Sequence, residues 1–259
     1  MHSGTDLQTR LDDGALWLTL DRPEVFNALS PEMAVDLARL TEEAVSRDDV
    51  RVVVLTGTGP AFSTGADISG DNAHEQFDVR AMDAANRIIR AIVGLDKPVV
   101  AAVNGIAAGV GCSAALASDI VVAAESASFL LAFTRIGFMP DGGASATVAA
   151  SIGRARAMRM GLLAEPLSAQ EAYDAGLVTH LASDADFPAV VEKIVRRLAA
   201  GPPLALAATK RSINAATLTQ LEPALERERT GQTLLMRTGD VAEGMRAFSE
   251  RRRPVFRGE

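Results

Sequence analysis

From Pro98 to Ser118 the chain carries no charged side chain. A stretch of that length must leave water, either in a membrane or inside a folded core. Its composition decides against a span. Gly105, Gly109 and Gly111 interrupt it, Asn104-Gly105 is a turn pair, and most remaining side chains are small. A buried strand, a tight turn and a short helix fit this pattern. Any fold for the chain must therefore enclose a strand–turn–helix passage on all sides.

The flanking segments supply the enclosure. "GALWLTLDRP" begins as a strand and stops at Pro23, "VRVVVLTG" is a buried strand, and "KPVVAAV" and "DIVVAA" are two more. "NALSPEMAVDLARLTEEAV" has helical periodicity, with Ser30 as cap and Pro31 at the first helical position. Residues near 75–93 read as a helix with Met82, Ile88, Ile89 and Ile92 facing inward. Strands alternating with helices indicate an α/β domain with largely parallel pairing. Later, "SAQEAYDAG" has the capping-box pattern Ser168 to Glu171 and a stop at Gly176, and "GLVTHL" reads as a short strand. Residues 186–250 read as successive helices. Leu221, Leu225, Leu234, Leu235, Met236, Met245 and Phe248 give these helices apolar surface that must pack on the main body or on a neighbouring subunit.

Composition narrows the chemistry. With 259 residues the chain can bury a large core without staples, and its net charge of -7 does not favour nucleic acid. The run Arg251-Arg252-Arg253 reads as a solvated helix end or a contact to a phosphate-bearing ligand. Cys112 is the single cysteine, and "MHSGTDLQTR" has no apolar signal segment, so a reducing, cytoplasmic setting is expected. His2, His74 and His180 lack metal-ligand spacing, which argues against zinc. Ser113 lacks the nucleophile-elbow pattern, and there is no Walker phosphate loop.

Gly109–Ala114 does match G-x-G-x-x-A, the dinucleotide fingerprint. That fingerprint needs a full helix and an acid about twenty residues on. Here the next strand begins at Asp119, and Glu125 comes too early. A second reading uses two turns together, "FSTGAD" ending at Ala66 and "AAGVG" ending at Val110. Two backbone N–H groups aimed at one point make an oxyanion hole, and glycines let a carbonyl approach.

The pieces "RPEVFNALS", "VVVLTGTGPAFSTGADI", "KPVVAAVNGIAAGVG", "ASDIVVAAESASF", "IGFMPDGG", "LSAQEAYDAGLV" and "FSERRRPVFRG" appear in that order. Together they resemble the enoyl-CoA hydratase/isomerase (crotonase) family over nearly the whole chain. The resemblance implies a spiral of ββα turns over residues 1–200 and a helical trimerisation region over 201–259. It implies a homotrimer or dimer of trimers, acyl-CoA thioester substrates of the kind met in fatty acid metabolism, and no cofactor beyond the CoA of the substrate. The oxyanion amides fall on Ala66 and Val110, and Ala28 and the Ala66-Asp67-Ile68 segment would line the CoA channel. Val110 stands where the family has a second glycine, so its side chain would narrow the acyl pocket.

Hydratases of the family use two glutamates. The first falls on Ser113 and the second near Phe133 in this chain, and neither is acidic. Both positions are expected to touch substrate, yet neither can deprotonate water near neutral pH. The segments "FLLAFTRIGFMPDGG" and "GRARAMRMGLLAEPLSAQEA" resemble instead the 2-(1,2-epoxy-1,2-dihydrophenyl)acetyl-CoA isomerases and Δ3,Δ2-enoyl-CoA isomerases. By that resemblance Asp141, before Gly142-Gly143, is the acid/base. Shifting a double bond needs one proton taken and one returned, which a single carboxylate can do without activated water. Hydration and non-catalytic acyl-CoA binding remain the alternatives, and an aspartate before two glycines is also a common turn residue.

Overall fold

The computed structural model describes residues 6–68 and 78–259. His2, His74 and the start of the helix expected near residue 75 lie outside the described residues. The chain opens with β1 (Leu7–Asp12) and β2 (Ala15–Leu20), an antiparallel hairpin. Next comes α1 (Pro31–Glu43), capped by the Ser30 hydroxyl accepting from Met33 N–H at 3.1 Å. Then follow three rounds of one plan. β3 (Val52–Gly57) leads to β4 (Ala61–Ser63) and α2 (Val79–Gly94). β5 (Val99–Val103) leads to β6 (Ile106–Ala108) and α3 (Gly109–Leu116). β7 (Ile120–Ala124) leads to β8 (Ser128–Leu130), a 3-10 turn (Ala132–Ile136) and α4 (Ala144–Leu163). A short β9 (Leu167–Ser168), α5 (Ala169–Asp174) and β10 (His180–Ala182) complete the sheets. The remaining helices are α6 (Phe187–Ala199), α7 (Pro203–Thr217), α8 (Leu221–Leu235) and α9 (Gly239–Ser249).

Each round sends its first strand to one sheet and its second to another. The larger sheet has the order β1-β2-β3-β5-β7-β10, and the smaller has β4-β6-β8-β9. Pairing is parallel except at β1/β2 and β8/β9. β3 and β5 alternate between two apolar layers: Val53, Leu55, Val99 and Ala101 join the main core, while Val52, Val54, Val100 and Ala102 pack with Val191 and Val195 of α6. That explains their continuous apolar runs, because a strand covered on both faces needs no polar alternation. The largely parallel pairing and the ββα plan expected from the sequence are both present, with the strands divided between two sheets. β4, β6 and β8 have three residues each, too few to display a period of their own.

The charge-free passage is β5, β6 and α3, and all of β5, Ala107 and Ala108 of β6 and nearly all of α3 are buried, while Ile106 is exposed. No helix among the described residues is long and apolar enough to cross a membrane. The capping box at Ser168 and Glu171 is present in full. Of the late apolar residues, Leu221, Leu225 and Met245 are buried in the main core, whereas Leu234 and Phe248 stay exposed. The late helices therefore pack on the body of the same chain while retaining an outer apolar face. Asp119 accepts from Val99 N–H at 2.7 Å and pairs with buried Lys210 at 2.8 Å, which fixes the start of β5.

Candidate active site

The two turns singled out in the sequence meet backbone to backbone. Gly65 has φ +93°, and a Cβ there would stand 3.0 Å from Ala108 O and 3.2 Å from Val110 N. Gly109, with φ +54°, faces Gly65 Cα in return. The close neighbour that excludes side chains is therefore the other turn. Gly111 is held to the same rule, because a Cβ there would stand 2.7 Å from the Ser63 side chain.

Polar bonds hold the first turn in place. The buried Asn27 side chain donates to Thr58 O and Ala61 O at 2.9 and 2.8 Å. The Ser63 hydroxyl donates to Asn27 O at 2.8 Å and accepts from Gly65 N–H at 3.2 Å. Ala66 forms a single parallel bridge to Leu29, whose two bonds use Gly65 O and Asp67 N. Ala66 keeps its own N–H out of that bridge. Val110 is the second residue of α3, where helix geometry leaves the N–H without an intrahelical acceptor. Two donors on adjoining turns, one at a helix start, can bind an oxygen that gains negative charge.

Ala66 and Val110 line an apolar cavity of about 520 Å³. Ala28, Asp67, Ile68, Phe133 and Asp141 line the same cavity. Asp67 pairs with Arg22 at 3.0 Å, and Arg22 also donates to Ala28 O at 2.8 Å, so this ion pair ties the two wall segments together. Phe133, on the 3-10 turn, offers only an aromatic face. Within the arginine run, Arg252 is bound by Glu243 at 2.9 Å.

Ser113 is fully buried and is not among the residues that line the cavity. Its hydroxyl donates to Asp141 O at 2.7 Å. Ser113→Ala is expected to leave that buried carbonyl underbonded and to cost about 1–3 kcal/mol, measured by urea unfolding. Cys112 beside it is also buried, its thiol pushed up to about 12 by loss of solvation.

Asp141 sits in the loop before α4, with Gly142 and Gly143 both at positive φ. A Cβ on Gly142 would stand 2.8 Å from Ser113 Cβ and 3.5 Å from Val110 Cγ2, so the loop lies directly on α3. Asp141 is only 4% exposed. Oδ2 accepts from the Gln232 amide at 2.9 Å, while Oδ1 is buried without a partner among the described residues. Burial pushes this carboxyl up to about 7; the Gln232 bond opposes the rise and the Glu228 charge adds to it. A group with that affinity for protons can both accept and return one near neutral pH.

Gln232 and Glu228 were not found from sequence. Glu228 accepts from Gly143 N–H at 2.7 Å and from Ser145 N–H at 3.0 Å, at the N-terminus of α4. One signal could have found them. Positions 221, 225, 228 and 232 share one helical face, and polar residues complete an otherwise apolar stripe there.

A buried carboxyl group and two backbone donors lining one apolar cavity form an arrangement suited to acyl-thioester chemistry. The sequence model of the enoyl-CoA hydratase/isomerase family matches residues 11–259, and the chain belongs to that family. It is 41% identical to a probable enoyl-CoA hydratase of Rhodobacter capsulatus, with 97% of this chain and 98% of that protein covered. It is 36% identical to the 1,2-epoxyphenylacetyl-CoA isomerase of Escherichia coli, again with 97% and 98% covered. Among solved structures, an enoyl-CoA hydratase from Mycobacterium avium subsp. paratuberculosis superposes with a TM-score of 0.92 at 47% identity, covering 98% of this chain and 99% of that one.

Proposed function

We propose that the protein is an acyl-CoA isomerase that shifts a double bond through a thioester enolate. The carrying observation is the Asp141 carboxyl group, poised near neutral and lining one cavity with Ala66 and Val110. In this reading the Ala66 and Val110 N–H groups bind the thioester oxygen. Each such donor is worth about 3–4 kcal/mol as charge develops. Asp141 takes a proton from C2 of a 3-enoyl-CoA and returns one at C4, leaving the 2-enoyl isomer. Ring-epoxide isomerisation uses the same anchored thioester, and the Escherichia coli relative bears a name of that kind. The reaction needs no cofactor beyond the CoA carried by the substrate. Ala28, Asp67 and Ile68 are assigned to the CoA side, and Phe133 to the apolar wall beside Asp141. The protein is further assigned a homotrimer or dimer of trimers, supported by the exposed Leu204, Ile213 and Leu234 on α7 and α8.

Hydration is the second reading, favoured by the name of the Rhodobacter relative. It lacks a second acid here, because Ser113 is engaged by Asp141 O and Phe133 is apolar. An assay with matched 3-enoyl-CoA and 2-enoyl-CoA separates the two. The expected result is interconversion of the double-bond isomers with little 3-hydroxyacyl-CoA formed. Hydration of 2-enoyl-CoA as the faster reaction would reverse the assignment.

A further inference from the structure

Glu228 and Gln232 of α8 are each only 1% exposed. They stand four residues apart, so they share a face of the helix. Burying a carboxylate and a carboxamide is costly unless both are well bonded. Their partners lie on the loop that carries Asp141. Gln232 accepts from Met139 N–H at 3.2 Å and donates to Met139 O at 2.8 Å and to Asp141 Oδ2 at 2.9 Å. Glu228 holds the Gly143 and Ser145 amides. The pair thus grips the loop on both sides of Asp141.

We propose that Gln232 and Glu228 are positioning residues for the Asp141 carboxyl group, Gln232 engaging Oδ2 so that Oδ1 alone carries the proton between carbons. The proposal rests on the acid/base reading of Asp141. A carboxylate bound through neither oxygen would swing and exchange them. One fixed oxygen leaves the other in a single pose, which proton transfer between two nearby carbons requires. Oδ1 has no hydrogen-bond partner among the described residues, so no protein donor competes for it. An orphaned buried oxygen costs stability, and a simple turn aspartate gains nothing from keeping one.

The two residues also act on Asp141 with opposite sign. The Gln232 donor favours its anion, and the Glu228 charge disfavours it. The other charged residues on the cavity wall are Asp67, paired with Arg22, and Arg135, which donates to Ala164 O at 2.6 Å.

Two near-isosteric exchanges test this by the pH dependence of kcat for isomerisation. Gln232→Glu keeps an acceptor for Met139 and replaces the donor on Oδ2 by a second carboxylate. Its acidic limb is expected at higher pH, with kcat near neutrality about tenfold lower and KM little changed. Glu228→Gln removes a negative charge, and its limb is expected at lower pH. Gln232→Leu removes the donor without adding charge and should shift the limb in the same direction as Gln232→Glu, which serves if the glutamate variant folds poorly. A loop merely loosened and hydrated would move every limb downward. Limbs that all move down, or a position-232 variant that superimposes on wild type, would overturn the proposal. Asp141→Asn is measured alongside: if it retains activity, the acid/base reading itself fails, whereas an inactive Asp141→Asn with unshifted position-232 variants removes only the positioning role.

Discussion

Asp141→Asn is expected to lower kcat for 3-enoyl-CoA isomerisation by about 10²–10⁴-fold, the usual contribution of a positioned acid/base group. KM should change little, because the asparagine keeps the shape of the side chain and the amides at Ala66 and Val110 are untouched. The wild-type rate should rise with pH through an apparent value near the carboxyl's own, about 7, since the reaction starts from the anion. The same substitution should stabilise the fold. Asp141 titrates near 7 when folded, against an ordinary carboxyl value of 3.8. Between those values the folded protein holds a proton that the unfolded chain has released, so stability falls as pH rises through the window and stays reduced above it. Asparagine has no charge to desolvate. A gain on the order of 2 kcal/mol would raise Tm by about 4–8 °C in mild alkali, shrinking toward the acid end of the window. Loss of activity together with a higher Tm separates a catalytic carboxylate from a structural one. Retained isomerisation in Asp141→Asn would remove the proposed role.

The parts of this site visible in the sequence were those with a local signature. Ser30, Ser168 and Glu171 announce helix starts through bonds made within one turn, and Pro31 does so through its fixed φ. The clustered glycines at 109 and 111 announce a close approach, though not what approaches. That needed the structure, because the other side of the contact, Gly65, lies 44 residues earlier in the chain. Ser113 needed it for a related reason. Its place in the family pattern suggests substrate contact, yet the Asp141 loop lies over α3 and takes the hydroxyl for its own carbonyl. Gln232 is 91 residues from Asp141, and only their bond reveals the link. Residues whose partners lie within a helical turn can be read from the sequence, whereas residues that fasten two distant loops need the fold.

Gly65→Ala is the second large effect, with kcat/KM expected to fall by about 10²–10³-fold, comparable to loss of one oxyanion donor. The added carbon would stand 3.0 Å from Ala108 O and 3.2 Å from both Gly109 Cα and Val110 N. Those neighbours are backbone atoms, so there is no flexible side-chain end to move aside. The φ of +93° adds strain of order 1–3 kcal/mol for any residue with a Cβ. Relief requires the two turns to separate, which pulls the Ala66 and Val110 amides apart. Strain alone would lower stability without a catalytic effect at temperatures well below Tm. Gly176→Ala is the control, since Gly176 has φ +82° and nothing within 4 Å of the new carbon. That variant should lose stability and keep its kcat. Equal kcat/KM in the two variants would detach the contact between the turns from catalysis. A selective loss in Gly65→Ala, with weaker binding of an enolate-like CoA analogue, would tie the glycine pair to the charge that develops on the thioester oxygen.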